Sequence, residues 1–506
     1  MSRQTAINIG AQIISLVVTF GISFFLTPFI VRNIGVDSFG YIGLTNNFIN
    51  FIQIITVAIN SMAGRFITIS LYKGETLQAK KYFASVFFSN LFIVLILTGP
   101  VVFILLNLSD YINIPAALVA DVTMLVGLMF IVFCMNVLGT VFGVAAFARN
   151  RLDLLSVADI VGNLIKVAVL VSAFSLFIPK LTYVAVAMII STSFMMILNI
   201  YYTRKLLPEI NIRYKYFELK SIKEILSAGI WNSLTRLSSF LSKGLSLLIT
   251  NLFIGPGAMG LLAVSQTIPN TIGTIISKLS DVFAPDLTIS FAHEDNKKML
   301  MQLNTSIKIL GFFSAIPLAI LFTYGEHFFE LWLPGQDADL LHRLSILICL
   351  GFTVALPMEG IWNVFTVVNK VKQTSFFLLG NAALTLLLMF AGLSLIDDSV
   401  HRLYVVASVE AFVSLISSLI FLPIYAAKCM NVSVKTFYPP ILKNTISLLL
   451  IVSLSFYLKE LIDISGWLTF IMLCLLTAII SVLINSFFLL NRYERKVLTS
   501  IILKKK

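Results

Sequence analysis

Runs of some twenty or more apolar residues, repeated along nearly the whole chain, constrain this sequence more than anything else in it. A helix crossing a bilayer needs about 20 such residues, because the hydrocarbon core offers no water to satisfy open backbone groups. Fourteen windows meet that length, at roughly 5–31, 44–64, 82–107, 121–147, 154–178, 181–203, 226–254, 259–282, 305–324, 343–368, 375–396, 402–427, 442–461 and 467–490. Only 12% of the 506 residues are charged, and the mean hydropathy is +0.97. A soluble domain carries about 25% charged residues, so a water-soluble fold is excluded. The pattern predicts an all-α integral membrane protein with about fourteen transmembrane helices. The first run, residues 7–31, is too long for a signal peptide and lacks a small-residue cleavage site, so it reads as a retained span.

The chain also repeats itself. Residues 34–52, IGVDSFGYIGLTNNFINFI, return 220 positions later as IGPGAMGLLAVSQTIPNTI, with Ile34/Ile254, Gly35/Gly255, Gly40/Gly260, Asn50/Asn270 and Ile52/Ile272 identical. In each copy an apolar run ends, two glycines five residues apart turn the chain, and a second run opens with amides. Glycine suits such a reversal because it reaches backbone angles closed to other residues. Asn150-Arg151 before Gly162-Asn163 is echoed by Asn369-Lys370 before Gly380-Asn381, and Tyr183-Val184 by Tyr404-Val405. Three echoes in one order at nearly one spacing imply an internal duplication. It predicts a six-helix lobe at 1–203, a basic linker at 204–225, a second six-helix lobe at 226–427, and two extra helices with a basic tail at 428–506.

The formal charge of +12 follows the spans rather than a nucleic-acid surface. With the N-terminus inside, 27 Lys and Arg fall in or bordering the inner segments and five outside: Arg32, Lys180, Arg343, Arg402 and Lys459. That asymmetry predicts cytoplasmic termini. The longest outer loop is expected at residues 325–342, too short for a catalytic domain, and neither a Walker A, an H-E-x-x-H nor a G-x-S-x-G sequence occurs. The reading is therefore a transporter rather than an enzyme, with no catalytic residues, cofactor, metal or nucleic acid. Cys134, Cys349, Cys429 and Cys474 lack metal-ligand spacing and read as packing residues.

Charged side chains inside a bilayer are costly and by default face a cavity or a partner. Lys166 is central in span 5, with Asp159 and Asn163 on its helical face. It either offers a cavity cation or neutralises Glu359 in span 10 or Glu410 in span 12, the central carboxylates suited to ion coupling. Arg236 and Lys243 are seven apart on span 7, with no acid between them, and read as substrate-binding cations. Span 8 carries Gln266, Asn270, Lys278 and Asp281; the last two form a natural pair or snorkel to the interface. Span 2 shows Asn46, Asn50 and Gln53, and span 1 shows Asn8 and Gln12. These stripes either line one polar cleft between repeats or glue helices together. Pro269, Pro285, Pro317 and Pro357 are expected kink sites.

On fourteen spans, two six-helix lobes, the glycine reversal after span 1 and the N-R/K turns before spans 5 and 11, the chain resembles the polysaccharide (O-antigen, Wzx-type) flippases. Their superfamily also holds the MATE drug antiporters and the lipid II flippases. The resemblance implies a two-lobe, ion-coupled transporter of the bacterial cytoplasmic membrane, working as a monomer. It would carry an undecaprenyl-diphosphate-linked oligosaccharide from the inner to the outer leaflet, among membrane lipid and alongside polysaccharide polymerase and chain-length proteins. Arg236, Lys243, Lys166 and Lys278 would offset the diphosphate charge, and Glu359, Glu410, Asp159 and Asp281 are the coupling candidates. Rivals are a MATE-type antiporter, weakened by the absence of an acid in span 1, a lipid II flippase, and a membrane-embedded polymerase or glycosyltransferase, weakened by the short outer loops.

Overall fold

The computed structural model describes residues 3–368 and 370–489. The echoed Asn369 and the basic tail beyond residue 489 lie outside the described residues. Among those described, eleven helices are long and apolar enough to cross a membrane. They coincide with eleven of the fourteen expected spans. The other three, spans 7, 8 and 10, are each built from shorter helices. Packing divides the chain into two compact units that meet in sequence at Ala263 and Val264. That division falls inside the eighth expected span rather than in the basic linker.

The first unit runs α1 (Arg3–Ile34), α2 (Val36–Tyr72), α3 (Thr76–Leu106), the single turn α4 (Leu108–Tyr111), α5 (Val119–Ala148), α6 (Leu152–Leu176), α7 (Thr182–Leu206), α8 (Leu219–Ser239), α9 (Ser246–Phe253) and most of α10 (Pro256–Ser265). The expected first six spans are each one continuous helix. Ile59, Ala63 and Ile67 of α2 bury against Phe83 of α3, Val141 and Ala145 of α5, and Ile225 of α8. Close crossings are cut by small residues: α8 lies so near α2 that a Cβ on Gly229 would overlap the Ala58 carbonyl.

Residues 207–218 connect α7 to α8, with one 3₁₀ turn at Tyr214–Tyr216. The far end of this linker is clamped to the start of α3. Lys81 pairs with Glu218 at 3.1 Å, Ser221 Oγ donates to the same carboxylate at 2.8 Å, and the Glu218 amide donates to Ser85 Oγ at 2.9 Å. The Ser221 hydroxyl, then the Lys81 ammonium, holds the Glu218 carboxyl below its ordinary range.

The second unit runs α11 (Thr267–Asp281), α12 (Ala284–Ala292), α13 (Asn296–Trp332), α14 (Ala338–Cys349), the single turn α15 (Phe352–Ala355), α16 (Gly360–Val367), α17 (Val371–Leu395), α18 (Ser399–Ile416), α19 (Leu422–Met430), α20 (Tyr438–Leu461) and α21 (Trp467–Phe488). Here the structure corrects the expected loop at 325–342. The α13 helix continues to Trp332 because Phe328, Phe329 and Trp332 are buried, which leaves only residues 333–337 outside helices. Pro317 lies within α13 without ending it.

The last two helices dock on α13 through a buried polar seam. Tyr324 Oη donates to the Ser455 carbonyl at 3.1 Å and lies 3.0 Å from the Thr477 hydroxyl. Ser447 Oγ donates to Asn485 Oδ1 at 2.6 Å, and Asn485 Nδ2 donates to the Phe312 carbonyl at 3.2 Å. In an apolar surrounding, packing and hydrogen bonds rather than hydrophobicity select helix partners.

Candidate functional site

In the first unit, one line of α2 seats expected span 7 from Gly229 to Gly244. Asn47, Phe51, Ile54, Ala58 and Ser61 follow three- and four-residue steps and so share a helical face. Ser61 Oγ accepts from Asn232 Nδ2 at 3.1 Å, Ala58 meets Gly229, and the Ile54 carbonyl accepts from Ser233 Oγ at 3.1 Å. Phe51 packs on Phe240 with ring centroids 4.9 Å apart, and Asn47 Nδ2 donates to the Gly244 carbonyl at 3.0 Å.

Span 7 is interrupted by a π-helical turn, Phe240–Gly244. Three hydroxyls just before it bond back along the helix. Thr235, Ser238 and Ser239 hydroxyls donate to the carbonyls of Trp231, Leu234 and Thr235 at 2.8–3.0 Å, a pattern that competes with the helix ladder and bends it. The displaced backbone is then resupplied from outside the ladder: Asn47 serves Gly244, and Ser246 Oγ donates to the Lys243 carbonyl at 2.9 Å.

Arg236 closes α8 and Lys243 sits within the π turn; both are exposed. The single-face expectation needs correction. A π turn takes up more residues than an α turn, so Lys243 is rotated from the position directly above Arg236 that seven regular residues would give. On α2, Asn46, Asn50 and Gln53 each precede a seating residue by one, which puts them about 100° around the helix. Asn50 and Gln53 are exposed and Asn46 half-buried.

A second polar group lies where α1 packs on α6. Asn163 Nδ2 donates to Thr19 Oγ1 at 3.2 Å. Lys166 and Asp159 are half-buried on the same side of α6, and neither has an ion-pair partner among the described residues. They are seven residues apart, about 10 Å along the axis, too far to neutralise each other. Gln12 is exposed.

Asn8, expected to line a cavity, does something else. It is 4% exposed and latched to the turn before α6: Nδ2 donates to the carbonyl and the side-chain oxygen of Asn150 at 2.9 Å each, and Oδ1 accepts from the Asp153 amide at 3.1 Å. The turn needs such support because Asn150 is left-handed, with φ 53°.

In the second unit, Lys278 and Asp281 lie in the last turn of α11, both exposed, and no ion pair joins them. The expected pairing is therefore not made. At this end of α11 the two side chains take separate exposed positions. Asn270 is exposed and Gln266 half-buried at the gap between α10 and α11. Glu359 is half-buried just before α16, after the Pro357 break, and Glu410 is half-buried in α18 two turns before a second π turn, Ser417–Phe421. Asn363, four residues after Glu359, is committed to structure, donating to the Ser280 carbonyl at 3.1 Å.

Sequence reasoning passed over three amides that hold the first unit's breaks and loops. One is Asn47. The others are Asn113 and the fully buried Asn251, which exchange backbone and side-chain hydrogen bonds at 2.8–3.0 Å, while Tyr41 Oη donates to the same Asn113 carbonyl. Asn251 lies in an apolar helix end, and its isolation there was the available signal.

Comparison with known proteins agrees with this architecture. A family model described as "Polysaccharide biosynthesis protein" matches residues 29–335, more than half of the chain. The Bacillus subtilis (strain 168) "Uncharacterized membrane protein EpsK" is 27% identical over 427 residues, covering 83% of each chain. Among solved structures, an inward-facing multidrug resistance MATE family transporter of the MOP superfamily superposes with a TM-score of 0.69 at 12% identity, over 86% of this chain and 97% of its own. The lipid II flippase MurJ, in an inward closed conformation, gives 0.63 at 15% identity over 98% and 99%. These likenesses establish the fold of transporters and flippases rather than of enzymes. With the family match covering both glycine reversals and the broken seventh span, the chain belongs to the polysaccharide biosynthesis protein family.

Proposed function

We propose that this protein translocates an undecaprenyl-diphosphate-linked oligosaccharide repeat unit, of O-antigen or capsule/exopolysaccharide type, from the inner to the outer leaflet of a bacterial cytoplasmic membrane by alternating access. One observation carries the reading: Arg236 stands exposed just before a π-helical break in an expected membrane span, and Lys243 stands exposed within that break. A diphosphate entering a low-dielectric layer loses hydration, and fixed cations offset that cost. The guanidinium can hold two phosphate oxygens at once, and the ammonium adds a point charge.

In this reading Lys166 and Lys278 extend the cationic path. Gln12, Asn46, Asn50, Gln53, Gln266 and Asn270 exchange hydrogen bonds with sugar hydroxyls as water is stripped. Glu359, Glu410, Asp159 and Asp281 are the groups through which an ion gradient could couple. Likeness of fold to a lipid II flippase supports a lipid-linked cargo. The protein would act as a monomer with cytoplasmic termini, feeding a polymerase and its chain-length partner.

The test is translocation of a fluorescent undecaprenyl-diphosphate oligosaccharide in proteoliposomes. Arg236→Ala/Lys243→Ala, eluting as a folded species, is expected to transport at least about a hundredfold more slowly, since each charge-assisted bond contributes about 1.5–3 kcal/mol. Unchanged transport removes these cations from the site. Proton-driven efflux of a cationic dye without lipid translocation overturns the flippase reading altogether.

A further inference from the structure

We propose that a basic cavity in the second unit, between α12, α13 and the start of α20, binds the headgroup of an anionic glycerophospholipid such as phosphatidylglycerol. The cavity encloses about 950 Å³. Three lysines line it: Lys297 in the first turn of α13, Lys308 eleven residues further along, and Lys443 in the second turn of α20, against one carboxylate, Asp286. Eleven residues make just over three full turns and about 16 Å of rise, so Lys297 and Lys308 share one face of α13 at opposite ends of the cavity. Lys297 and Lys443 are exposed, while Lys308 is half-buried.

The walls between the lysines are largely apolar, from Leu300, Met301, Pro440 and Leu489. Cations over an apolar wall suit an amphiphile better than a free anion, since the acyl chains can follow the wall while the phosphate takes the lysines. A zwitterionic headgroup would bring its own ammonium against three others and so gain less from them than an anionic one. Asn304, between Lys297 and Lys308 on α13, also lines the cavity. Basic pockets between transmembrane helices are a recurrent way of holding anionic lipid headgroups. This site is independent of the translocation path proposed above.

The experiment purifies the full chain in nanodiscs of phosphatidylcholine containing a minor fraction of phosphatidylglycerol, then counts co-purifying lipid by mass spectrometry. The wild type is expected to retain phosphatidylglycerol far above its share. Lys297→Gln/Lys308→Gln/Lys443→Gln should lose it by about a hundredfold, since each lysine near an anionic surface contributes roughly a factor of five. Lys443→Glu, a single exposed position, reads the same question if the triple variant does not fold. Millimolar inorganic phosphate should leave the lipid in place. Equal retention by the lysine variants, equal retention of the two lipids, or displacement by phosphate each overturns the proposal, the last by assigning the cavity to free anions.

Discussion

The reversals around Gly35 and Gly255 are built alike, but the helices leaving them are not. Both glycines have positive φ, 83° and 136°, and open space where a Cβ would stand. Both precede a helix directly, and the echoed Gly40 and Gly260 meet face to face, a Cβ on Gly40 lying 2.9 Å from Gly260 Cα. After Gly35, α2 runs unbroken for 37 residues; after Gly255, the helix stops at Ser265 and restarts at Thr267. One residue explains the difference. In the second copy the position of Ile49 is Pro269, which has no N–H to give the Ser265 carbonyl four residues back. The Ser345 hydroxyl donates to that carbonyl instead, at 2.9 Å. The two echoed stretches share the turn and its close contact, while the second has a side-chain bond where the first has a ladder bond. The same holds just upstream, where α1 is one helix of 32 residues and its counterpart is α8, a π turn and α9.

The comparison can be broken most sharply at the shared contact. Gly260→Val would drive a side chain into the Val36 carbonyl, where backbone rather than a flexible side chain must yield. It is expected to cost about 3 kcal/mol or more, read as a collapse of the folded fraction in thermal unfolding; wild-type-like unfolding would mean the two reversals do not touch. Next comes Pro269→Ile, which writes the first copy's residue into the second. If the missing N–H causes the gap, the helix should heal, stabilising the fold by about 1 kcal/mol and protecting the amide of residue 269 in hydrogen exchange, while lipid translocation slows. Continued rapid exchange there would place the cause elsewhere. The turns themselves come last. Gly35, at φ 83° and ψ 162°, and Gly255, at φ 136°, both hold backbone angles that side chains rarely adopt. Gly35→Ala and Gly255→Ala should each cost about 1 kcal/mol or more; an unchanged melting temperature in either variant would mean that its turn does not depend on glycine.

Much of this was legible from residue order, and the limits have physical reasons. Span positions follow from apolar length, and the reversals from paired glycines, because both depend on local chemistry. Pro269 and Pro357 marked two real interruptions for the same reason. The π turns at 240–244 and 417–421 contain no proline; at the first, hydroxyls bond back to the ladder and an asparagine arrives from another helix. Asn8 read as cavity lining because a polar stripe looks alike whether it faces a cleft or a neighbouring turn. Arg236 and Lys243 read as stacked because counting by sevens assumes an unbroken helix. The loop expected at 325–342 vanished because polar residues such as His327 and Glu330 can sit in a helix whose other face carries Phe328, Phe329 and Trp332.

The polar seam holding α20 and α21 to α13 has a consequence for biosynthesis. Tyr324 belongs to a helix made well before its partners, yet its hydroxyl finds Ser455 and Thr477 only after nearly all of the chain has left the ribosome. Until then it faces lipid, where an unmet polar group costs several kcal/mol. A messenger truncated after residue 437 would thus yield an inserted but permanently unfinished second unit, a natural substrate for membrane proteases rather than a smaller working transporter.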